Sequence, residues 1–345
     1  MSLINLHILN FFLCFALVYL NFKYRYQISK KFQIIDIPDG KRKLHKGPTP
    51  LNGSVWFVIM LCIFLVESFF LDNFLSKQIK LIIVTTILMF LIGFVDDRKS
   101  LKPNLRLIIY FSIFYVAVSF DESFLLKTIL FESLDLELQT LIFANFISAF
   151  CLTAFINSIN LTDGINSLAN SILTLILFFV FITFDQNNVQ IITLLIFLSL
   201  NSFIIYKQKY FLGDAGSLSI STFVGMYIIY LYNSEYLGIY NSTFNAEDIF
   251  VLMAFPGLDM IRVFFERLVV NKKNPFLPSR DHLHHYLLKK HSLFVTLLLY
   301  LVFAFAPSIS NFVIKTLTTY NLIICFVLYI VLLKYARHND KYIIK

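Results

Sequence analysis

The segment IKLIIVTTILMFLIGFVDDRK, residues 79–99, decides the fold class of this chain. Its part up to residue 95 is almost wholly apolar, and a helix of about 17 such residues can cross the roughly 30 Å hydrocarbon core of a bilayer. Four charged residues follow without a break, beginning with Asp96 and Asp97. An apolar run that ends abruptly in charge predicts a transmembrane helix whose end meets water at one membrane face.

Runs of this kind recur along the chain, and we count eleven of them. They cover approximately residues 3–22, 53–71, 79–95, 105–120, 138–157, 166–184, 188–206, 215–232, 247–268, 292–310 and 317–334. The composition agrees, because 58% of the residues are hydrophobic and 14% are charged, against roughly 45–50% and about 25% in soluble domains. Backbone amides in lipid must be bonded within their own segment, and the runs lack the alternation of barrel strands. The sequence therefore predicts an all-α polytopic membrane helix bundle with about 11 transmembrane helices, built as a single domain over residues 1–345.

The basic residues predict the orientation of this bundle. All but four of the 29 Lys and Arg residues fall in alternate connecting segments or at the C-terminus, and such basic segments stay on the cytoplasmic side. The exceptions are Lys77, Lys80, Lys127 and Lys315. We therefore expect the N-terminus outside and the C-terminus inside, in a multi-pass protein of the cytoplasmic (inner) membrane. The net charge of +8 then faces the anionic headgroups of the lipid bilayer, and no nucleic-acid partner is expected.

Adjacent carboxylates occur where the segment quoted above leaves the membrane, in GFVDDRKSL at residues 93–101. Asp96 and Asp97 repel each other and are costly to place near lipid, so such a pair usually has a cation partner. The pattern favours a metal or general-base position at the cytoplasmic face. The alternative is a solvated helix end that Arg98 and Lys99 neutralise.

A second polar motif, NSINLTDGINSLA at residues 157–169, lies between two apolar runs. Asn157 and Asn160 are three residues apart and share a helix face, while Asp163-Gly164 allows a turn back into the membrane. Amide and carboxylate oxygens are hard ligands that suit Mg²⁺. The alternative is that the asparagines cap one helix and Asp163 caps the next.

A third motif, KYFLGDAGSLS at residues 209–219, places the turn Gly213–Ser217 directly before an apolar run. Free backbone amides at a helix N-terminus suit phosphate, and Asp214 beside them suits a cation. The alternative is a tight turn that Asp214 caps.

The longest polar segment is NKKNPFLPSRDHLHHYLLKK at residues 271–290. It brings together four donors that can grip a nucleotide diphosphate, namely Arg280, His282, His284 and His285. Zinc is not indicated, because HLHH lacks the i, i+4 pair of HExxH and no cysteine lies nearby. Asp259 and Arg262, on the preceding apolar run, have the spacing of an intrahelical pair.

The basic segment DIPDGKRKLHKGPTPLNGS, residues 36–54, is too polar to insert into lipid. Lys43 and His45 within it can bind either lipid headgroups or the phosphates of a donor substrate. The sequence leaves both interpretations open.

All of these motifs share one predicted face of the membrane, which independent capping residues would not be expected to do. Carboxylates and amides suit a divalent metal, and an Arg/His segment suits an anion, so together they favour phosphoryl transfer. The alternative function is a polytopic transporter or lipid flippase. Transporters usually place their polar residues near the bilayer midplane within paired repeats, and this sequence has no such repeat.

In order and spacing, DIP, GFVDDRKSL, NSINLTDG, FLGDAGS and PSRDHLHH resemble the motifs of the polyprenyl-phosphate N-acetylhexosamine-1-phosphate transferase family. The resemblance covers nearly the whole chain. It implies transfer of an N-acetylhexosamine-1-phosphate, with GlcNAc-1-phosphate indicated by HLHH, from a UDP-N-acetylhexosamine to undecaprenyl phosphate with release of UMP. It also implies Mg²⁺ or Mn²⁺ as cofactor and a first membrane step of cell-surface glycan synthesis, such as cell wall or O-antigen. A homodimer is left open.

The same resemblance implies roles for single residues. Asp214 matches the principal metal ligand, with Asn160 near the metal and the donor. The residues expected to be catalytic are Asp96, Asp97, Asp163 and His282. Those expected to bind substrates are Lys43, His45, Asn157, Asn160, Arg280, His284 and His285. Asn166 departs from the family pattern, in which a second Asp is common. Direct attack by the lipid phosphate and a two-step route through an aspartyl phosphate both stay open.

Overall fold

Helices make up 80% of the protein. The computed structural model describes residues 3–38, 47–71, 74–184, 188–236, 245–272, 274–275, 279–313 and 318–338. The α-helices within these ranges are α1 (Leu3–Phe32), α2 (Val55–Phe70), α3 (Lys77–Lys99), α4 (Pro103–Ser119), α5 (Ala144–Thr162), α6 (Leu168–Phe184), α7 (Val189–Tyr206), α8 (Gly213–Tyr236), α9 (Ala246–Phe265), α10 (Leu283–Lys290), α11 (Leu293–Val313) and α12 (Thr318–Arg337).

Each predicted apolar run coincides with one of these helices, and the additional helix, α10, lies in the His-rich segment. In the described part of the chain, 6 helices are long and apolar enough to cross a membrane, namely α3, α5, α7, α8, α11 and α12. Helices α2, α4 and α6 are shorter and also apolar. The protein is therefore a multi-pass membrane helix bundle, while the count of eleven spans and the direction of insertion stay predictions.

Two small antiparallel sheets were not expected from the sequence. Their strands are β1 (Ile35–Asp36) with β2 (Thr49–Pro50), and β3 (Thr128–Phe131) with β4 (Leu136–Gln139). The helix predicted over residues 138–157 was wrong at its start, because β4 extends to Gln139 and α5 begins at Ala144. The residues of β4 alternate apolar and polar, which is the pattern of a strand.

The central helix is α8. Within it, 94% of an 18-residue apolar stretch is buried inside the protein. It contacts α2, α3, α5 and α6. Its first half is rich in Gly, Ala and Ser, and such small residues let neighbouring backbones approach closely. The buried serines return their hydroxyls to their own helix, since Ser219 Oγ donates to the Ala215 carbonyl at 2.7 Å. The Ser219 hydroxyl therefore has a partner within its own helix.

Helix α3 packs along α8 and makes a close contact with it at Gly93. A Cβ at this position would lie 2.5 Å from the Ala215 Cα and 2.6 Å from the Asp214 carbonyl oxygen. Only a residue without a side chain permits this contact. It brings the last turn of α3, which carries Asp96 and Asp97, against the first turn of α8.

A buried network holds the segment that leads into α8. The Phe211 N–H donates to the Pro50 carbonyl at 2.8 Å, and the Gly53 N–H donates to the Phe211 carbonyl at 3.1 Å. The Tyr210 hydroxyl donates to Asn201 Oδ1 at 2.7 Å, and Asn201 Nδ2 donates to the Gly53 carbonyl at 3.0 Å. The loop before α2 and the turn before α8 are thus both fixed to α7.

Candidate active site

Asp97 caps the N-terminus of α8 from a neighbouring helix. Its Oδ1 accepts from the Asp214 N–H at 2.8 Å, and its Oδ2 accepts from the Ala215 N–H at 3.0 Å. First-turn amides lack partners within their helix and form the positive end of its dipole, so a carboxylate is stabilised there. We expected these amides to be free for a phosphate, and two of them are instead bonded to Asp97.

Gly213 makes room for this cap. Its φ of +76° lies in the left-handed region, where a Cβ is costly. A Cβ at Gly213 would also lie 2.9 Å from Asp97 Oδ2. A larger residue would therefore strain the backbone and push the Asp97 carboxylate off the amides.

Asp214 is held by Asn160 and lies near Arg106. Asn160 Nδ2 donates to Asp214 Oδ1 and to Ser217 Oγ, both at 2.8 Å. Arg106 Nη1 lies 2.7 Å from Asp96 Oδ2 and 3.8 Å from Asp214 Oδ2. Because α4 begins directly after α3, its first turn brings Arg106 back to the carboxylates.

Asp163 completes the group from the end of α5. It directly follows α5 and lies near Asp214, Asp97 and the Gly213 amide. Burial raises the pKa of Asp163 well above its usual range, the negative charges of Asp214 and Asp97 raise it further, and the Gly213 amide opposes them. We name Asp96, Asp97, Asp163 and Asp214 the acidic cluster. Its carboxylates stand close enough to destabilise one another's charge.

The His-rich segment is fixed to α9 by Asp259. Oδ2 of this buried carboxylate lies 2.8 Å from His282 Nδ1, and Oδ1 accepts from Arg262 Nη2 at 2.8 Å and from the Leu283 N–H at 3.1 Å. Arg262 Nη2 also donates to the Asp281 carbonyl at 2.5 Å. The intrahelical pair of Asp259 and Arg262 is therefore real, and it also anchors the chain that leads into α10.

Three histidine rings lie against one another in the segment 279–285, which we name the His loop. The rings of His282 and His284 stack with centroids 5.6 Å apart, and those of His284 and His285 are 4.3 Å apart. His284 is fully buried, and neither ring nitrogen has a hydrogen-bond partner within the described residues. Burial lowers the pKa of His284 well below its usual range and that of His285 to about 4. Both rings are therefore neutral near pH 7.

Gly164 joins the acidic cluster to the His loop. A Cβ there would lie 2.5 Å from His284 Nε2 and 2.8 Å from His285 Nε2. The preceding residue in the chain is Asp163. The turn between α5 and α6 therefore supplies a carboxylate to one group and packs its backbone on the other. The result is a set of acids beside a set of cationic and imidazole donors, which suits a metal-bound phosphate.

The acidic cluster fits a divalent cation in charge and in donor type. Two of its carboxylates, Asp96 and Asp214, are paired with Arg106, whose single charge does not balance both. Carboxylate and amide oxygens are the ligands that Mg²⁺ prefers. Across the described ranges, no group of three or more His, Cys, Asp or Glu side chains already has a metal-holding arrangement. Asn160 presents its NH₂ to Asp214, so it would have to turn its amide oxygen toward an ion.

Known proteins are similar to this chain over 71–76% of its length. Residues 79–232 match the model of Glycosyl transferase family 4. The phospho-N-acetylmuramoyl-pentapeptide-transferase of Prochlorococcus marinus (strain MIT 9312) is 30% identical over 271 residues, which are 71% of this chain and 72% of that protein. The chain belongs to glycosyl transferase family 4. The family expected from the motifs is thereby confirmed.

Two further relatives carry a different name, with a different transferred group. The undecaprenyl-phosphate alpha-N-acetylglucosaminyl 1-phosphate transferase of Escherichia coli (strain K12) is 26% identical over 274 residues, covering 76% of this chain and 71% of that protein. The protein of the same name from Salmonella typhi is 25% identical over 274 residues, with the same coverage.

The other predicted site residues have varied positions in this family member. Asn157 lies on α5 and donates from Nδ2 to Met260 Sδ at 3.4 Å, so it faces α9. Arg280 is half-buried in the His loop. Lys43 and His45 lie outside the described residues. The catalytic and binding roles of all these residues stay predictions.

The sequence interpretation missed two contributions to the site. Arg106 was counted only among the basic residues, although it follows Asp96 by 10 positions across the proline that starts α4. Asp259 was interpreted as half of an intrahelical pair, which leaves out its bond to His282. A charged residue within an apolar run is costly to place in a membrane, and it usually has a specific partner. This cost could have indicated both contributions.

Proposed function

We propose that this protein transfers GlcNAc-1-phosphate from UDP-N-acetylglucosamine to undecaprenyl phosphate, with Mg²⁺ as cofactor and UMP as the leaving group. We place the reaction at the cytoplasmic face of the inner membrane, as a first membrane step of cell-surface glycan synthesis. Family membership supports the transfer of a sugar 1-phosphate to a polyprenyl phosphate. The names of the Escherichia coli and Salmonella relatives and the HLHH sequence support the choice of sugar.

One observation carries the proposal: the acidic cluster and the His loop meet at the Asp163-Gly164 turn. Phosphoryl transfer is accelerated mainly by positioning and by neutralisation of charge. A diphosphate at this junction would meet imidazole and guanidinium donors on one side and a cation-binding group on the other. We therefore assign the His loop to the diphosphate of the nucleotide sugar.

Asp214 and Asn160 are the residues that would hold Mg²⁺. When bound, Mg²⁺ supplies the positive charge that offsets the diphosphate and the departing UMP. Asp97 keeps its two oxygens on the α8 amides, so it holds Asp214 in place. Asp96, through Arg106, keeps a guanidinium beside Asp214.

The acceptor needs no base to become a nucleophile. A phosphate monoester loses its second proton with a pKa of about 6, so the lipid phosphate is largely a dianion at neutral pH. This favours direct attack of a lipid phosphate oxygen on the sugar-proximal phosphorus. The P–O bond to UMP breaks as the new P–O bond forms, and the product is a lipid diphosphate sugar.

A transport function draws no support from the placement of the polar residues. Asp96 and Asp97 lie in the last turn of α3, Asp163 directly follows α5, and Asp214 lies in the first turn of α8. These are helix ends, whereas transporters usually bind their substrates near the bilayer midplane.

The decisive experiment follows the nucleotide product of the purified protein in detergent with undecaprenyl phosphate and Mg²⁺. UDP-N-acetylglucosamine and its N-acetylhexosamine isomers are compared, and we expect UMP in stoichiometric amount with the lipid-linked sugar. Since one diphosphate is exchanged for another, added UMP should return the sugar phosphate to the nucleotide. UDP as the product, or full activity in excess EDTA, would overturn the proposal.

A further inference from the structure

Asp259 is the most heavily bonded carboxylate beside the His loop. Its side chain is 2% exposed. Oδ1 accepts from the Leu283 N–H, from Arg262 Nη2 and from the Tyr329 hydroxyl, the last at 2.8 Å. Oδ2 has a different partner, because it lies 2.8 Å from Nδ1 of His282. Oδ1 therefore makes the structural hydrogen bonds, and Oδ2 bonds to one histidine.

This bond decides which nitrogen of His282 is left for a ligand. A carboxylate that accepts three hydrogen bonds at Oδ1 is stabilised in its charged form, and a charged carboxylate accepts hydrogen bonds without donating any. Nδ1 of His282 must then carry a hydrogen. Nε2 is the remaining nitrogen, and it has no hydrogen bond to the part of the chain that the structure describes. A partner on one ring nitrogen fixes both the tautomer and the orientation of the ring.

The ring of His282 is also held from its face. It stacks on His284 with only 6° between the ring planes. His284 in turn lies against the Gly164 backbone, next to Asp163 of the acidic cluster. Both the plane of the His282 ring and its rotation within that plane are therefore set by neighbours.

We propose that Asp259 is a positioning residue for His282, which it holds with Nδ1 protonated so that Nε2 addresses the diphosphate of the nucleotide sugar. This inference rests on the proposed function for the identity of the ligand. Asp259 lies on α9, 23 residues before His282. Its positioning role explains why a buried carboxylate is kept in this largely apolar helix. Asp259 is not itself expected to touch the substrate.

The kinetic test replaces the carboxylate by its isosteric amide in Asp259→Asn. An amide that keeps its oxygen toward the three Oδ1 donors presents NH₂ to Nδ1 of His282, which favours the opposite tautomer. We expect kcat to fall by at least about tenfold while KM for the UDP-sugar stays within about threefold, because charge grows on the diphosphate as the bond to UMP breaks. In a His282→Asn background the same substitution should cause no further loss.

Tyr329→Phe is the matched control, because it removes one donor to Oδ1 and leaves the Oδ2 bond to His282 unchanged. We expect its kcat to stay within about twofold of the wild type. If Asp259 only stabilised the packing of α9 and α12, both variants would lose activity in parallel with folded protein. That outcome, or a wild-type kcat in folded Asp259→Asn, would overturn the proposal.

A spectroscopic measurement tests the tautomer without relying on activity. In protein labelled with ¹⁵N-histidine, the His282 ring signals are assigned by their loss in His282→Asn. We expect the shift of a protonated Nδ1 in the wild type and of an unprotonated Nδ1 in Asp259→Asn. An unprotonated Nδ1 in the wild type refutes the positioning role even if the variant fails to fold. An inactive wild type with a protonated Nδ1 would instead refute the proposed substrate.

Discussion

Adding one methyl group at Gly93 is expected to separate α3 from α8 and to disable the acidic cluster that they share. The new Cβ would lie 2.5 Å from the Ala215 Cα and 2.6 Å from the Asp214 carbonyl oxygen, against an ordinary contact distance of 3.4–4 Å. Both of these atoms belong to the backbone, so no side chain can rotate away. The two helices must therefore move apart by about 1 Å.

The displacement acts on the bonds between Asp97 and the first turn of α8. These bonds measure 2.8 and 3.0 Å, and about 1 Å more exceeds the usual hydrogen-bond range. Each bond to a charged group contributes about 1.5–3 kcal/mol, which outweighs the roughly 1 kcal/mol that alanine gains over glycine within a helix. A shift of about 1 Å in a catalytic group can also lower kcat by about 100-fold.

The assay for Gly93→Ala combines kcat with thermal unfolding in detergent, followed by a thiol-reactive dye that labels the buried Cys14 and Cys325 when they become exposed. Gly257→Ala is the matched control, because a Cβ at that glycine in α9 would meet nothing within 4 Å. We expect the control to unfold at or above the wild-type temperature with normal kcat. A Gly93→Ala protein with wild-type unfolding temperature and kcat would refute the close packing of α3 on α8.

Three further predictions concern charge and orientation. Asp214→Asn should stay folded and lose nearly all Mg²⁺-dependent transfer, because an amide lacks the charge that the ion needs; equal turnover at limiting Mg²⁺ would contradict this. In a cysteine-free background, an impermeant thiol reagent applied to intact cells should label a cysteine at Glu122 and miss one at Lys99, and the reverse pattern would invert the predicted topology. Burial lowers the pKa of His285 to about 4, so its contribution to stability is present above about pH 6.5 and should be lost as the pH falls toward 4. The unfolding temperature should therefore decline over this range, and His285→Gln should flatten the decline. An unchanged decline in the variant would contradict the prediction.

The local sequence was sufficient for the helices and for the polar motifs at their ends. Apolar runs of membrane length predict their own helices, because in lipid every backbone group must be bonded within its segment. The eleven predicted runs accordingly match helices, with an error at the strand Leu136–Gln139 where apolar and polar residues alternate. The acidic residues could be recognised for a related reason. A charged residue at the end of an apolar run is costly to place near lipid, and it usually has a functional role.

The tertiary structure decided which of these residues meet. Asp97 lies 117 residues from the amide of Asp214 that it caps, and Asp259 lies 23 residues from His282. Hydropathy is a property of single residues and is summed along the chain, so it can be measured on a sequence. A hydrogen bond between two helices depends on the distance and rotation between them, and these are set here by small residues such as Gly93 and Gly164 at the closest contacts. The sequence by itself therefore determined a membrane helix bundle with a set of polar motifs at its helix ends. The packing of the helices determined that Asp97 caps α8 and that Arg106 pairs with Asp96. It also determined that a carboxylate on α9 orients a histidine of the His loop.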